Sequence, residues 1–205
     1  MATLTRGTAD LVLASASPTR ARLLRDAGLV FRIVPARVDE PALRAGLEHD
    51  GAATPAAACA LAAAKAVQVS RGHPDAVVLG ADQLLEHRGR WLGKPETPAA
   101  LRGQIETLAG TSHTLTSAVA ACRGGAVLWQ AVDTARLAMR PLGERFLERY
   151  LAADAHDLAG SVGGYRLEGT GSHLFSAVEG DWFTIMGLPL LPLLAWLRQQ
   201  RMIED

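Results

Sequence analysis

Two periods of apolar residues run along the chain and predict its elements. Leu11–Ala14 is a short all-apolar run of the buried-strand type. Ser17-Pro18 opens a helix to about Ala27, with Gly28 placed to end it. Phe31–Val34 predicts a second strand, and Val38-Asp39-Glu40-Pro41 a loop. The alanine-rich stretch from Ala52 to Ala66 is a helix rather than low complexity, because alanine is the best helix former. Thr54 serves as its N-cap, Pro55 as its first helical residue, and it runs to about Ser70. Val77–Leu79 is a buried strand ending in Gly80-Ala81-Asp82.

Leu84–Leu92 predicts a hairpin turning at Arg88-Gly89, and Thr97-Pro98 opens a helix that Gly110 closes. His113–Cys122 and Ala126–Met139 are two long strands around Gly124-Gly125. An amphipathic helix follows over Glu144–Ala152, then a glycine-rich loop over Gly160–Gly164. The chain finishes with a strand over Leu174–Val178, a turn at Glu179-Gly180-Asp181 and a helix after Pro189. Helices and strands alternate while long hairpins intrude. The expected class is α/β, with a mixed, extended twisted sheet and flanking helices.

Composition narrows the field. The 205 residues are 49% hydrophobic, enough for one domain over residues 1–205 with an ordered core at about 11–197. Twenty-one basic and 21 acidic residues balance, which argues against a broad nucleic-acid footprint and against disorder. The longest apolar run, Leu188–Leu197, carries Pro189 and Pro192 and is too short to span a membrane. Leu11–Ala14 is too short for a signal peptide. Cys59 and Cys122 have no metal-ligand spacing and read as core thiols. A cytoplasmic protein without nucleic-acid or membrane partners is expected.

Five places carry candidate chemistry. In Ser15-Ala16-Ser17-Pro18-Thr19-Arg20 a strand ends, two hydroxyls follow and a helix starts, so N–H groups, serines and Arg20 can gather on an anion. The alternative is an ordinary N-cap beside a solvated arginine. Asp39-Glu40 offers paired carboxylates in a turn, oxygen ligands for a hard cation. Asp82 follows an apolar strand, where open α/β sheets place ligands, and suits metal binding or proton abstraction from water. Lys65, the one charge of an apolar helix, and Lys94, between Gly93 and Pro95, can each neutralise a polyphosphate. Taken singly, both read as surface residues. No P-loop, Gly-x-Ser-x-Gly elbow or paired-histidine spacing is present, and the four tryptophans read as packing.

In order, these segments resemble the Maf family of nucleoside triphosphate pyrophosphatases. The resemblance rests on Ser15-Ala16-Ser17-Pro18-Thr19-Arg20, Asp39-Glu40, Lys65, Gly80-Ala81-Asp82, Gly93-Lys94-Pro95, Ala109-Gly110-Thr111-Ser112-His113 and Gly187-Leu188-Pro189, from about residue 11 to 197. It implies an inosine-triphosphatase-like fold with two lobes around a central cleft. It also implies cleavage of a nucleoside triphosphate between its α and β phosphates. On that frame Asp82 is the catalytic residue, and Glu40 and Asp82 hold a divalent cation: Mg²⁺ first, Mn²⁺ or Co²⁺ as alternatives. Ser15, Ser17, Arg20, Lys65 and Lys94 bind phosphate, and a homodimer is common among relatives.

Three positions bear on the base: Thr19, Gln83 and Glu168. The dTTP/UTP-type branch usually has Arg, Thr and Gln there. Gln83 and Glu168 resemble the 7-methyl-GTP-type branch instead, while Thr19 stands where that branch usually carries Trp. Glu168 can accept N–H groups of a guanine edge and suits a cationic methylated base. The alternatives are a dTTP/UTP-type pyrophosphatase and a non-catalytic nucleotide sensor of the kind linked with septum formation.

Overall fold

The computed structural model describes residue 4, residues 10–158 and residues 160–204. The elements in chain order are β1 (Leu11–Leu13), α1 (Pro18–Asp26), β2 (Arg32–Ile33), α2 (Glu40–His49), α3 (Thr54–Ser70), β3 (Val77–His87), β4 (Arg90–Leu92), α4 (Pro98–Leu108), β5 (Ser112–Arg123), β6 (Ala126–Met139), α5 (Glu144–Leu158), β7 (Phe175–Glu179), α6 (Trp182–Ile185) and α7 (Leu190–Gln199). Among the described residues the strand order is β2-β1-β3-β5-β6-β7, with β4 also on β3. Pairing is parallel for β1 with β2 and with β3, and antiparallel for β3 with β4 and β6 with β7. The mixed α/β class is therefore observed. No helix among the described residues is long and apolar enough to cross a membrane.

The chain forms two compact units. The first comprises Met1–Gln83, Thr116–Asp133 and Trp182–Asp205; the second comprises Leu84–Leu115 and Thr134–Asp181. Within the first, Leu11, Leu13, Leu24, Leu79, Val119, Leu188, Leu193 and Leu197 belong to one buried apolar cluster. Trp129 and Trp196 stack at 5.3 Å between ring centroids, as packing residues do. Within the second, Leu101, Ile105 and Leu108 of α4 are buried, as are Leu115, Leu137 and Leu174. Neither cysteine is in a disulfide; burial raises the Cys59 thiol pKa and pushes that of Cys122 up to about 11.

Both glycine hairpin turns form as expected. Gly124 and Gly125 have φ of 55° and 85°, and Arg88 and Gly89 have φ of 52° and 74°, the positive values of tight hairpin loops. Three expectations change. Glu40 and Pro41, expected in a loop, instead open a helix over Glu40–His49, capped by the Asp39 side chain, which accepts from the Ala42 N–H at 3.0 Å. Thr54 is already helical, and the N-cap position falls to Ala53 without a side-chain bond. β3 does not stop at Gly80 but runs through Asp82 to His87.

Gly80 marks close packing instead of a strand end. A Cβ there would stand 2.2 Å from the Ala62 carbonyl oxygen and 2.7 Å from the Ala66 nitrogen. Helix α3 thus lies against the strand backbone, with Ala58, Ala62 and Ala66 fully buried. Gly80→Ala must push two backbones apart and should cost roughly 3 kcal/mol or more, at the upper end of overpacking. At Gly103 of α4, by contrast, an added Cβ would meet nothing within 4 Å. Gly103→Ala should add about 0.5–1 kcal/mol from helix propensity. Urea melts of the two variants check the contrast, which two similar midpoints would refute.

Candidate active site

The site of the first unit begins where β1 ends. The parallel register pairs Leu11 with Val77, Val12 with Val78 and Leu13 with Leu79, and the Ala14 N–H still donates to the Leu79 carbonyl at 2.7 Å. The chain then leaves the sheet at Ser15. On that edge of β3 the next carbonyl is that of Ala81, two residues on. It accepts Arg20 Nη1 at 2.9 Å, so the guanidinium takes the ladder place that β1 vacates. Arg20 Nη1 also donates to Ser15 Oγ at 3.3 Å, and Nε to the Gly187 carbonyl at 2.8 Å. Gly187, at φ 93°, sits where a larger residue would be strained.

Strand residues alternate faces, so Gly80 and Asp82 share the side that α3 covers. The close approach at Gly80 brings Lys65 onto Asp82. Lys65 Nζ lies 2.5 Å from Asp82 Oδ1 and 2.8 Å from Glu40 Oε2. Lys65 and Asp82 are 6% and 7% exposed, whereas the Glu40 side chain is half exposed. A charge in an apolar helix has to be paired when it turns inward, and here it is. Lys65 is therefore not the surface residue that its own segment suggests. Burial lowers the Arg20 pKa, while the charges of Asp82 and Glu40 act to raise it.

The Asp39-Glu40 pair splits: Asp39 caps α2 and Glu40 turns to Lys65. Asp82 lies mid-strand rather than at a strand tip, but beyond the end of the β1 ladder. Ser17 caps α1, its Oγ accepting the Arg20 N–H at 3.3 Å, and Ser15 Oγ accepts the Ser17 N–H at 3.2 Å. The N-cap reading of Ser17 thus holds together with the clustering of Ser15 and Arg20. Two carboxylates converging on one cationic nitrogen also fit a divalent ion of the Mg²⁺ class, which takes one or two carboxylates plus phosphate oxygens. Among the described residues no group of three or more His, Cys, Asp or Glu side chains is placed to hold a metal.

The family description for Maf-like proteins matches residues 10–200. The chain belongs to the Maf family. It is 46% identical over 197 residues to the 7-methyl-GTP pyrophosphatase of Rhizobium etli, covering 96% of this chain and 99% of that protein. It is 45% identical over 191 residues to a nucleoside triphosphate pyrophosphatase of Granulibacter bethesdensis, covering 93% and 97%. Among solved structures, the chain aligns with a nucleoside-triphosphatase / dITP/XTP pyrophosphatase of Mycobacterium abscessus over 94% of both chains, at 14% identity and a TM-score of 0.39.

Thr19 is half-buried in the first turn of α1. Gln83 Nε2 faces three acceptors in its own unit: Ser117 Oγ at 3.0 Å and the carbonyls of Thr184 at 3.1 Å and Ile185 at 3.0 Å. Its amide hydrogens are thus committed to holding α6. The sequence did not point to Ser117, Thr184 or the Gly187 and Ala81 carbonyls, because backbone acceptors and small hydroxyls leave no pattern. Lys94 and Glu168 belong to the second unit. Lys94 is exposed between β4 and α4, and Glu168 Oε1 pairs with Arg166 Nε at 3.3 Å.

His113 of the second unit is buried, with Nε2 2.6 Å from the Tyr165 hydroxyl. Its Nδ1 has no hydrogen-bond partner among the described residues. Burial, aided by the charge of His87, pushes its pKa down to about 4. The unfolded chain, with histidine near 6.5, binds more protons between those values, so stability is lost as pH falls from about 6.5 towards 4. The loss should be on the order of 3 kcal/mol. Melting temperatures from pH 7 to 4.5 check this, and His113→Gln should flatten the profile. An equally steep fall in the variant would assign it to other groups.

Proposed function

We propose that this chain hydrolyses a nucleoside triphosphate between the α and β phosphates, giving a nucleoside monophosphate and pyrophosphate. The observation that carries the reading is the convergence of Asp82, Glu40, Lys65 and Arg20 in one partly buried cluster. Family membership and the names of the relatives support the reaction class. A divalent ion, with Mg²⁺ proposed, would be held by Asp82 and Glu40 and would supply charge for the phosphate oxygens and the attacking water.

The protein's own groups do the rest. Asp82 takes the water proton as the water oxygen bonds to the α-phosphorus. The bond from that phosphorus to the α–β bridging oxygen breaks, and pyrophosphate leaves with the bonding pair. Lys65 can turn its ammonium to a phosphate oxygen, and Arg20 is held at Nε and Nη1 with Nη2 outside those bonds. Such preset cations stabilise the charge that develops in the transition state. Ser15 and Ser17 are proposed as further donors and Lys94 as a further cation.

For the base we propose a modified purine such as 7-methyl-GTP, supported by Gln83 and Glu168 and by the name of the Rhizobium etli relative. The family resemblance likewise supports a cytoplasmic homodimer. Asp82→Asn should lower turnover about a hundredfold or more, read as pyrophosphate released, since both base and charge are lost. Wild-type turnover in the folded variant would overturn the assignment, and binding without any pyrophosphate release would make the protein a sensor. In a side-by-side panel 7-methyl-GTP should be cleaved faster than dTTP or UTP, and Glu168→Gln should narrow the gap. A clear preference for dTTP would refute the base assignment.

A further inference from the structure

The ammonium of Lys65 stands between the two carboxylates proposed to hold the metal, 2.5 Å from one and 2.8 Å from the other. Asp82 is buried, and the same cluster holds the guanidinium of Arg20, which feels both carboxylates. Two formal negative charges thus face two formal positive charges, and the cluster is balanced before any ligand arrives. A divalent ion added to this arrangement would share the Asp82 carboxylate with an ammonium at contact distance and leave two surplus charges in a partly dry place, which electrostatics opposes. A triphosphate reverses the balance. Its oxygens offer Lys65 another partner, and its charge offsets that of the ion.

We propose that Lys65 is a built-in counter-ion in the metal's seat, so that the divalent ion binds tightly only once a substrate phosphate has drawn the ammonium off the carboxylates. This rests on the nucleotide reading above and adds an order to it: the lysine first neutralises the acidic pair and then transfers to the phosphate. By linkage, the metal must tighten nucleotide binding by the same factor as the nucleotide tightens metal binding.

Mn²⁺ titrations followed by electron paramagnetic resonance test this on the full chain, with and without an α,β-methylene nucleoside triphosphate. Without nucleotide, Lys65→Met and Lys65→Gln should bind Mn²⁺ at least about tenfold more tightly than wild type, because the competing cation is gone. The analogue should tighten wild type by about tenfold or more and the variants by roughly threefold or less. Equal nucleotide-free affinity in wild type and folded variants would overturn the proposal. Thermal melts establish that the variants fold. Should neither do so, wild type decides: tight nucleotide-free Mn²⁺ binding that Asp82→Asn abolishes would sink the proposal, and weak binding that the analogue tightens would uphold it. Pyrophosphate release from wild type reads the nucleotide assignment separately, since a chain that cleaves no triphosphate fails there whatever its Mn²⁺ affinity.

Discussion

An ammonium group drawn beneath an alanine-rich helix needs negative partners at contact distance, and the first unit is arranged around meeting that need. Lys65 finds Asp82 on the strand below and Glu40 at the start of α2. The strand contact depends on how closely α3 approaches β3. Gly80 supplies no side chain at the contact, and Ala62 and Ala66 supply only methyls. Bulkier residues at any of the three would hold helix and strand apart and leave a lysine and an aspartate buried without each other. Breaking a buried pair in that way costs several kcal/mol, far more than an exposed pair is worth. The small residues are thus part of the electrostatics as much as of the packing.

The other half of the arrangement follows from a strand that ends early. With β1 gone after Leu13, the Ala81 carbonyl lacks a strand partner, and a buried carbonyl left unpaired is costly. Arg20 answers it from the first turn of α1, a helix that Ser17 caps. The same guanidinium reaches the Gly187 carbonyl ahead of α7. One side chain therefore completes the sheet edge, ties the α7 approach to it and brings positive charge to the acidic pair.

Much of this was legible in the chain. The Ser-Pro helix start, both glycine turns and the membership of Arg20, Glu40, Lys65 and Asp82 in one family pattern could be read from residue order. The misreadings have physical causes. Gly80 looks like punctuation because glycine more often ends a strand than admits a helix backbone. Helix α2 has no fully buried residue, and its apolar signal is short, resting on Leu43 and Leu47, four apart and half-buried; its cap at Asp39 and its packing on α3 complete its definition. The inward turn of Lys65 depends on a partner 17 residues away, which local context cannot supply. The bonds from the Gln83 amide to two backbone carbonyls are announced by no pattern at all.

The two units treat buried ionisable side chains in opposite ways, and the contrast bears on where chemistry resides. In the second unit burial pushes His113 down and Tyr165 up, which favours the uncharged form of each. A histidine and a tyrosine driven apart in this manner exchange no proton near neutrality, so their 2.6 Å contact serves packing and orientation. In the first unit opposite charges are set against each other, and each side of the pairing can be claimed by a ligand: the cations by phosphate, the carboxylates by a metal. Ion pairs of that kind hold a fold together while leaving it charged groups to lend, whereas a neutral pair offers a polyanion nothing. On the proposed reading the acid–base and electrostatic work of hydrolysis falls to Asp82 and its cations, while His113, although it lies in one of the family's motifs, packs and orients its own unit.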